Sequence, residues 1–319
     1  MKRWLLTLLA LCSLPAFATG PAQPPTADEQ VMAAFWARME SSADPRMQAL
    51  AMVAPFEAMG GPADLPARID RWEAGEPDAD AVVLLAALSC GHAAASRLRA
   101  LCDRRDLLGR WKQADASNAW PWLIEAHRAQ QVEDAAALQA ALEGIGRSQR
   151  IEDGYRIALA TLREALASDS GFTTMAPAQR AVTTFGIALA IAVPALQGVT
   201  DLCPPTPTEQ AQIAERAAIC QHLGRLLFDT PQTSMLQAQL GAQVARDYAE
   251  DDAARAQANE QLAALRSLGS ALAADPLLSP GGDDPKATPE GLDQYLQWVI
   301  AEGEVAAMLG WLKRGRAGA

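Results

Sequence analysis

From Asp28 onward the apolar residues of this chain recur at helical spacing, and no stretch of comparable length alternates apolar with polar convincingly. A half-buried strand needs that alternation, whereas a packed helix needs an apolar residue every three or four positions. Val31, Phe35, Trp36 and Met39 make one such face. Half of the residues are apolar, alanine is the largest component of that half, and aromatics reach only 5%. Alanine is the best helix former and a poor strand former, so the composition favours closely packed helices. The chain is predicted to be all-α with no significant sheet.

Caps and breakers mark the helix ends. A helix near residues 45–58 stops at Gly60-Gly61-Pro62. Asn118 suits an N-cap, and Pro121 falls in the first turn, where a missing amide costs little. Thr206-Pro207-Thr208-Glu209 combines a Thr cap, an early Pro and a Glu at the third position. Helices over 230–249 and 251–274 follow, then a break rich in Pro, Gly and Asp over 275–289. A last helix carries Leu292, Tyr295, Leu296, Val299 and Ile300 and ends on Lys313, Arg314 and Arg316, which suit its dipole. Residues 181–200 are uncharged, yet Pro194 and polar ends predict a buried helix rather than a membrane span.

Arg71-Trp72 and Arg110-Trp111 each precede an acidic or polar turn and then an apolar helix, about 39 residues apart. Over residues 118–150 the chain resembles a tetratricopeptide repeat. Trp122 takes the first-helix aromatic position, Ala126 and Ala129 the close-approach positions, Glu133-Asp134 the turn, and Leu142 and Ile145 line the second helix. Val132 stands where that family has its turn glycine. The resemblance implies an α-solenoid-like array of helical hairpins, of a kind that commonly binds proteins or peptides.

The start of the chain reads as an export signal. Lys2 and Arg3 precede an apolar run over 4–14, and Ala16-Phe17-Ala18 gives a small-x-small cleavage pattern. Lipidation at Cys12 is the alternative, but Leu11 stands where a small residue is wanted. The expected organisation is a signal peptide over 1–18, a Pro-rich tether over 19–27, a helical-repeat region over 28–170 and a C-terminal helical region over 171–319. The expected location is periplasmic or secreted. Four cysteines remain after cleavage, and an even count in an oxidising compartment suggests two disulfides. Three pairings are possible. Local ones, Cys90–Cys102 and Cys203–Cys220, are favoured because helical hairpins make mostly local contacts.

The formal charge of −11 argues against nucleic acid or anionic lipid as the main partner. There is no Gly-x-Ser-x-Gly elbow, HExxH pair, phosphate loop or Cys-x-x-Cys. No cofactor, metal or catalytic residue is therefore assigned. A Cys90 thiolate with His92 as base, or zinc on Cys90, His92 and Cys102, are alternatives to the disulfide. His127 and His222 read as surface or boundary residues. Trp120 and Trp122, two apart on a helix, point to different faces. With Trp122 packed, Trp120 faces elsewhere: either it packs beneath Trp111 on the preceding helix, since tryptophans are usually largely buried, or, in a binding scaffold, it is the exposed anchor of a binding surface with Arg110 and Arg128 at its rim. The favoured function is an exported, non-enzymatic scaffold for a protein or peptide partner in the cell envelope. The alternative is an envelope enzyme with a carboxylate- or Cys-based site, to be marked by a deep cleft with converging carboxylates.

Overall fold

The structure is a computed structural model that describes residues 26–53, 64–91, 96–192, 196–205, 213–231, 233–274 and 289–317. The export signal, most of the tether, the Gly60-Gly61-Pro62 break, His92, Pro194 and the Thr206–Glu209 cap lie outside the described residues. Among those described there are sixteen helices and no strand, only one isolated bridge between Asn118 and Arg150.

The helices are α1 (Ala27–Glu40), α2 (Pro45–Val53), α3 (Leu65–Ala74), α4 (Ala79–Cys90), α5 (Ser96–Arg104) and α6 (Leu107–Ala114). Next come α7 (Trp120–Gln131), α8 (Ala135–Arg147), α9 (Tyr155–Ser168), α10 (Pro177–Ala192) and α11 (Gln197–Leu202). The chain ends with α12 (Ile213–Asp229), α13 (Met235–Asp247), α14 (Asp252–Ala273), α15 (Pro289–Glu302) and α16 (Glu304–Ala317).

Their starts are chemically marked. Thr26 and Glu29 form a capping box on α1, and Ser234 and Gln237 form one on α13. Asp78, Asp134 and Asp251 each accept a backbone N–H at the start of α4, α8 and α14. Asn118 does more than cap. Buried, it accepts from the N–H groups of Trp120 and Glu152 at 3.0 Å each, and donates to Asp115 and to the Glu152 carbonyl at 2.9 Å each. It thereby pins the start of α7 to the segment leading into α9.

Helices adjacent in sequence pack as neighbours: α7 on α8, α12 on α13, α13 on α14, α15 on α16. The longer-range packing centres on α9, which touches α2, α4, α10 and α15. Two cores result. One gathers Trp111, Trp120, Leu123, Ile145 and Leu223, and the other gathers Phe35, Leu159, Leu166, Leu296 and Trp311. Leu88 and Ile157 pack against both. Each core draws residues from both sides of position 170.

Small residues let these helices close in. A Cβ built on Gly241 of α13 would sit 2.6 Å from Leu227 Cβ and 2.7 Å from the Gly224 carbonyl oxygen of α12. A Cβ on Gly144 of α8 would fall inside the Trp122 ring. Trp122 therefore lies flat on α8, with the Lys112 ammonium 4.1 Å from its ring centroid.

Two expectations need correction. Within the stretch over 181–200 the described residues are the end of α10, up to Ala192, and α11, from Gln197, and Val182 and Leu189 are exposed rather than buried. No described helix is long and apolar enough to cross a membrane. The last helix is also two, α15 and α16, divided at Gly303. That residue adopts φ +90°, a left-handed conformation natural to glycine, which ends one helix and turns the chain into the next.

Cys90 is joined to Cys102, and Cys203 to Cys220, with Sγ–Sγ distances of 2.03 and 2.02 Å. The local pairing is the one observed. With both sulfurs of the first bond engaged, neither a Cys90 thiolate nor a zinc site on Cys90 and Cys102 exists.

Candidate functional site

The three residues expected to form a binding surface do not come together. Trp120 is 1% exposed and belongs to a core, whereas Trp122 is half-buried. Trp120 is thus packed rather than an exposed anchor, and Trp122 packs against the same core while staying partly exposed. Trp122 faces outward over α8 and Lys112, and Trp120 faces inward among Leu123 and its neighbours. Arg110 pairs with Glu73 at 2.6 Å. Arg128 pairs with Asp103 at 2.8 Å and donates to the Cys90 carbonyl at 3.2 Å. Both arginines tie helices to one another. His127 is buried beside Asp201, Nδ1 to Oδ2 3.2 Å, rather than at the surface. His222 is half-buried against the Ser148 carbonyl at 3.0 Å.

Trp120 nevertheless borders a sizeable cavity. A chamber of about 560 Å³ opens between α10, α13 and α15, with the start of α9 and the start of α16 along one wall. Phe185, Leu196, Leu272 and Leu292 make its sides apolar. Leu189 and Leu236 stand at its mouth, 52% and 54% exposed. The inner wall is polar and carries Asp153, Glu304, Gln237, Tyr155 and Tyr295.

Two left-handed glycines set the acids in place. Asp153 precedes Gly154, which adopts φ +83° at the start of α9. A side chain there would be strained and would crowd Ala87 Cβ at 3.1 Å. Glu304 follows Gly303 and opens α16. Arg156 of α9 braces that elbow by donating to the carbonyls of Ile300 and Ala301, at 2.9 and 3.3 Å, at the end of α15.

Each acid is partly engaged. Asp153 accepts from the Tyr155 N–H and from Gln237 Nε2, both at 2.8 Å. Gln237 is itself oriented, because its Oε1 accepts from the Ser234 N–H at 2.8 Å. Glu304 Oε2 accepts from the Met235 N–H at 2.7 Å, so a residue of α16 helps to cap α13. Desolvation dominates the electrostatics. Burial pushes the Asp153 carboxyl up to about 6, against the hydrogen bonds that favour its ionised form, and the charge of Glu152 pushes the same way. Burial also raises Glu304, opposed by the Met235 N–H. The Tyr155 and Tyr295 hydroxyls are raised by burial and by the nearby Glu304 charge, so they stay protonated.

Chemically, this wall can exchange a proton near neutral pH at Asp153 and present carboxyl and phenol oxygens to a ligand. Among the described residues no cluster of three or more His, Cys, Asp or Glu is placed to hold a metal ion. Sequence reading missed the wall because its parts lie at 153–155, 237, 295 and 304. The available signal was the pair Asp153-Gly154 and Gly303-Glu304, each an acid beside a glycine at a helix boundary. Compared with protein-family models, curated proteins and solved structures, the chain matches none.

Proposed function

We propose that this chain is a helical binding scaffold that works outside the cytoplasm, and that its protein or peptide partner seats an apolar group in the chamber between α10, α13 and α15. The observation that carries this reading is the chamber itself, about 560 Å³ with exposed Leu189 and Leu236 at its mouth. Ligand sites commonly have volumes of roughly 300–1,000 Å³ and apolar walls with a few polar groups. Exposed leucines around an apolar opening are better explained by an occupant than by water. Two disulfides fit an oxidising compartment.

One observation favours the enzyme reading: two carboxyls with raised pKa values converge on the chamber, as general acid–base catalysis requires. Binding is preferred because each acid already uses an oxygen to secure a helix start, Asp153 at α9 and Glu304 at α13.

The test is a titration with N-phenyl-1-naphthylamine, a neutral dye that fluoresces in apolar surroundings. Saturable binding at one site is expected. Leu236→Asp, at the mouth, should abolish it. Leu309→Asp, at an exposed leucine of α16 outside the chamber, should leave it unchanged. Non-saturable binding, or binding that Leu236→Asp leaves intact, would sink the proposal.

A further inference from the structure

Among the described residues, Asp153 and Glu304 are the only charged ones on the chamber wall, and no Lys, Arg or His lines it. Two carboxyls thus face a largely apolar space with no described cation opposite them. Glu304 spends one oxygen on the Met235 N–H, and no described residue engages the other. Tyr155, Tyr295 and Phe185 bring aromatic rings to the same wall. We infer that the chamber recognises the free amino terminus of an apolar peptide, its ammonium between Asp153 and Glu304 and its first side chains against the apolar walls.

This inference rests on the binding reading above and names the chemical class of the partner. An ammonium offers three donors and no acceptor, which suits carboxylate and phenol oxygens. Aromatic faces attract a cation, and a desolvated site strengthens that attraction. A peptide amino terminus is protonated at neutral pH and, when the first residues are apolar, carries the hydrophobic stem that the chamber needs. The groups facing Asp153 are Glu152 and Tyr155 from its own segment and Gln237 from α13. Those facing Glu304 are Tyr155 of α9 and Tyr295 of α15. None is cationic, so a bound ammonium supplies the charge that desolvation now withholds from both acids.

The experiment is calorimetric titration of the full chain, disulfides intact, with three probes: leucyl-phenylalanine amide, its N-acetylated form, and octylammonium. The free-amine peptide should bind about tenfold or more tightly than the acetylated one, as a charge-assisted hydrogen bond implies. Near pH 6, where Asp153 is about half protonated, binding should release up to about half a proton, read from buffers of different ionisation enthalpy. Asp153→Asn and Glu304→Gln should each bring the two peptides within about twofold of each other. The comparison between peptides on the unaltered chain does not depend on either variant folding. Equal affinity for both peptides, with the naphthylamine dye still bound, would overturn amine recognition and leave the binding reading standing. Failure of peptides and dye alike would overturn the binding reading itself. Octylammonium bound while both peptides stay silent would assign the site to a small amine and overturn the peptide occupant.

Discussion

Replacing Gly241 with Ala tests how tightly α12 and α13 are pressed together. The new methyl would lie 2.6 Å from Leu227 Cβ, 2.7 Å from the Gly224 oxygen and 2.8 Å from the Phe228 nitrogen. Carbon atoms pack best at about 3.5–4.0 Å, so the helices must separate by about 1 Å. A gap of that size forfeits a quarter to a half of the dispersion energy across the seam. Two of the three obstructing atoms belong to the backbone, so no rotamer change can clear them. Overpacking of this kind costs about 1–3 kcal/mol, and this site belongs at the upper end. Alanine returns about 1 kcal/mol through its helix propensity. The net loss is about 2 kcal/mol, a fall of about 3 °C in melting temperature for a chain of this length. Gly269→Ala on α14 is the control, because a Cβ there meets nothing within 4 Å. It should gain about 0.5–1 kcal/mol. Thermal and urea melts followed by circular dichroism read both. If Gly241→Ala melts at or above the unaltered chain, the seam is not close-packed and the reasoning fails.

Two further outcomes are expected. The Asp153 carboxyl titrates at about 6 in the folded chain against an ordinary 3.8, so the native state keeps a proton that the unfolded chain releases. Stability should therefore fall as pH rises from about 4 to 6, by up to about 3 kcal/mol, then level off, and Asp153→Asn should flatten that slope in urea melts. Glu133, in the turn between α7 and α8, adopts φ +57°, where a side chain is strained. Glu133→Gly should stabilise the chain by about 0.5–1 kcal/mol, seen as a higher melting temperature, and a lower one would show that the turn is not under strain.

Much of the helical layout was legible because local chemistry marks it. The acids at 251 and 252 open α14, and the stretch read as a helix over 251–274 is observed at Asp252–Ala273. The local pairing of cysteines was also legible, since helices joined by short turns bring nearby positions together. For Trp120 the sequence left a packed and an exposed reading both open, for a physical reason. Periodicity shows that the two rings point to different faces, but not which face the rest of the chain covers. That choice depends on Gly144, which opens a flat seat for Trp122 on α8. In the sequence Gly144 reads only as a weak helix residue. Gly224 and Gly241 hid their close contact in the same way. The chamber was least legible, because its polar wall assembles residues about 150 positions apart, and no local signal encodes which helix ends will meet.

Each of the four described cysteines is bonded to its neighbour in sequence, Cys90 to Cys102 and Cys203 to Cys220. If the chain is threaded amino terminus first into oxidising surroundings and Cys12 is removed with the signal, Cys90 and Cys102 emerge about a hundred residues before Cys203. Bonding in order of arrival then yields the native pairing directly. Of the three ways to join these four cysteines, only this one would then need no bond to be broken and remade, so the fold could be cross-linked correctly while its carboxyl-terminal half was still emerging.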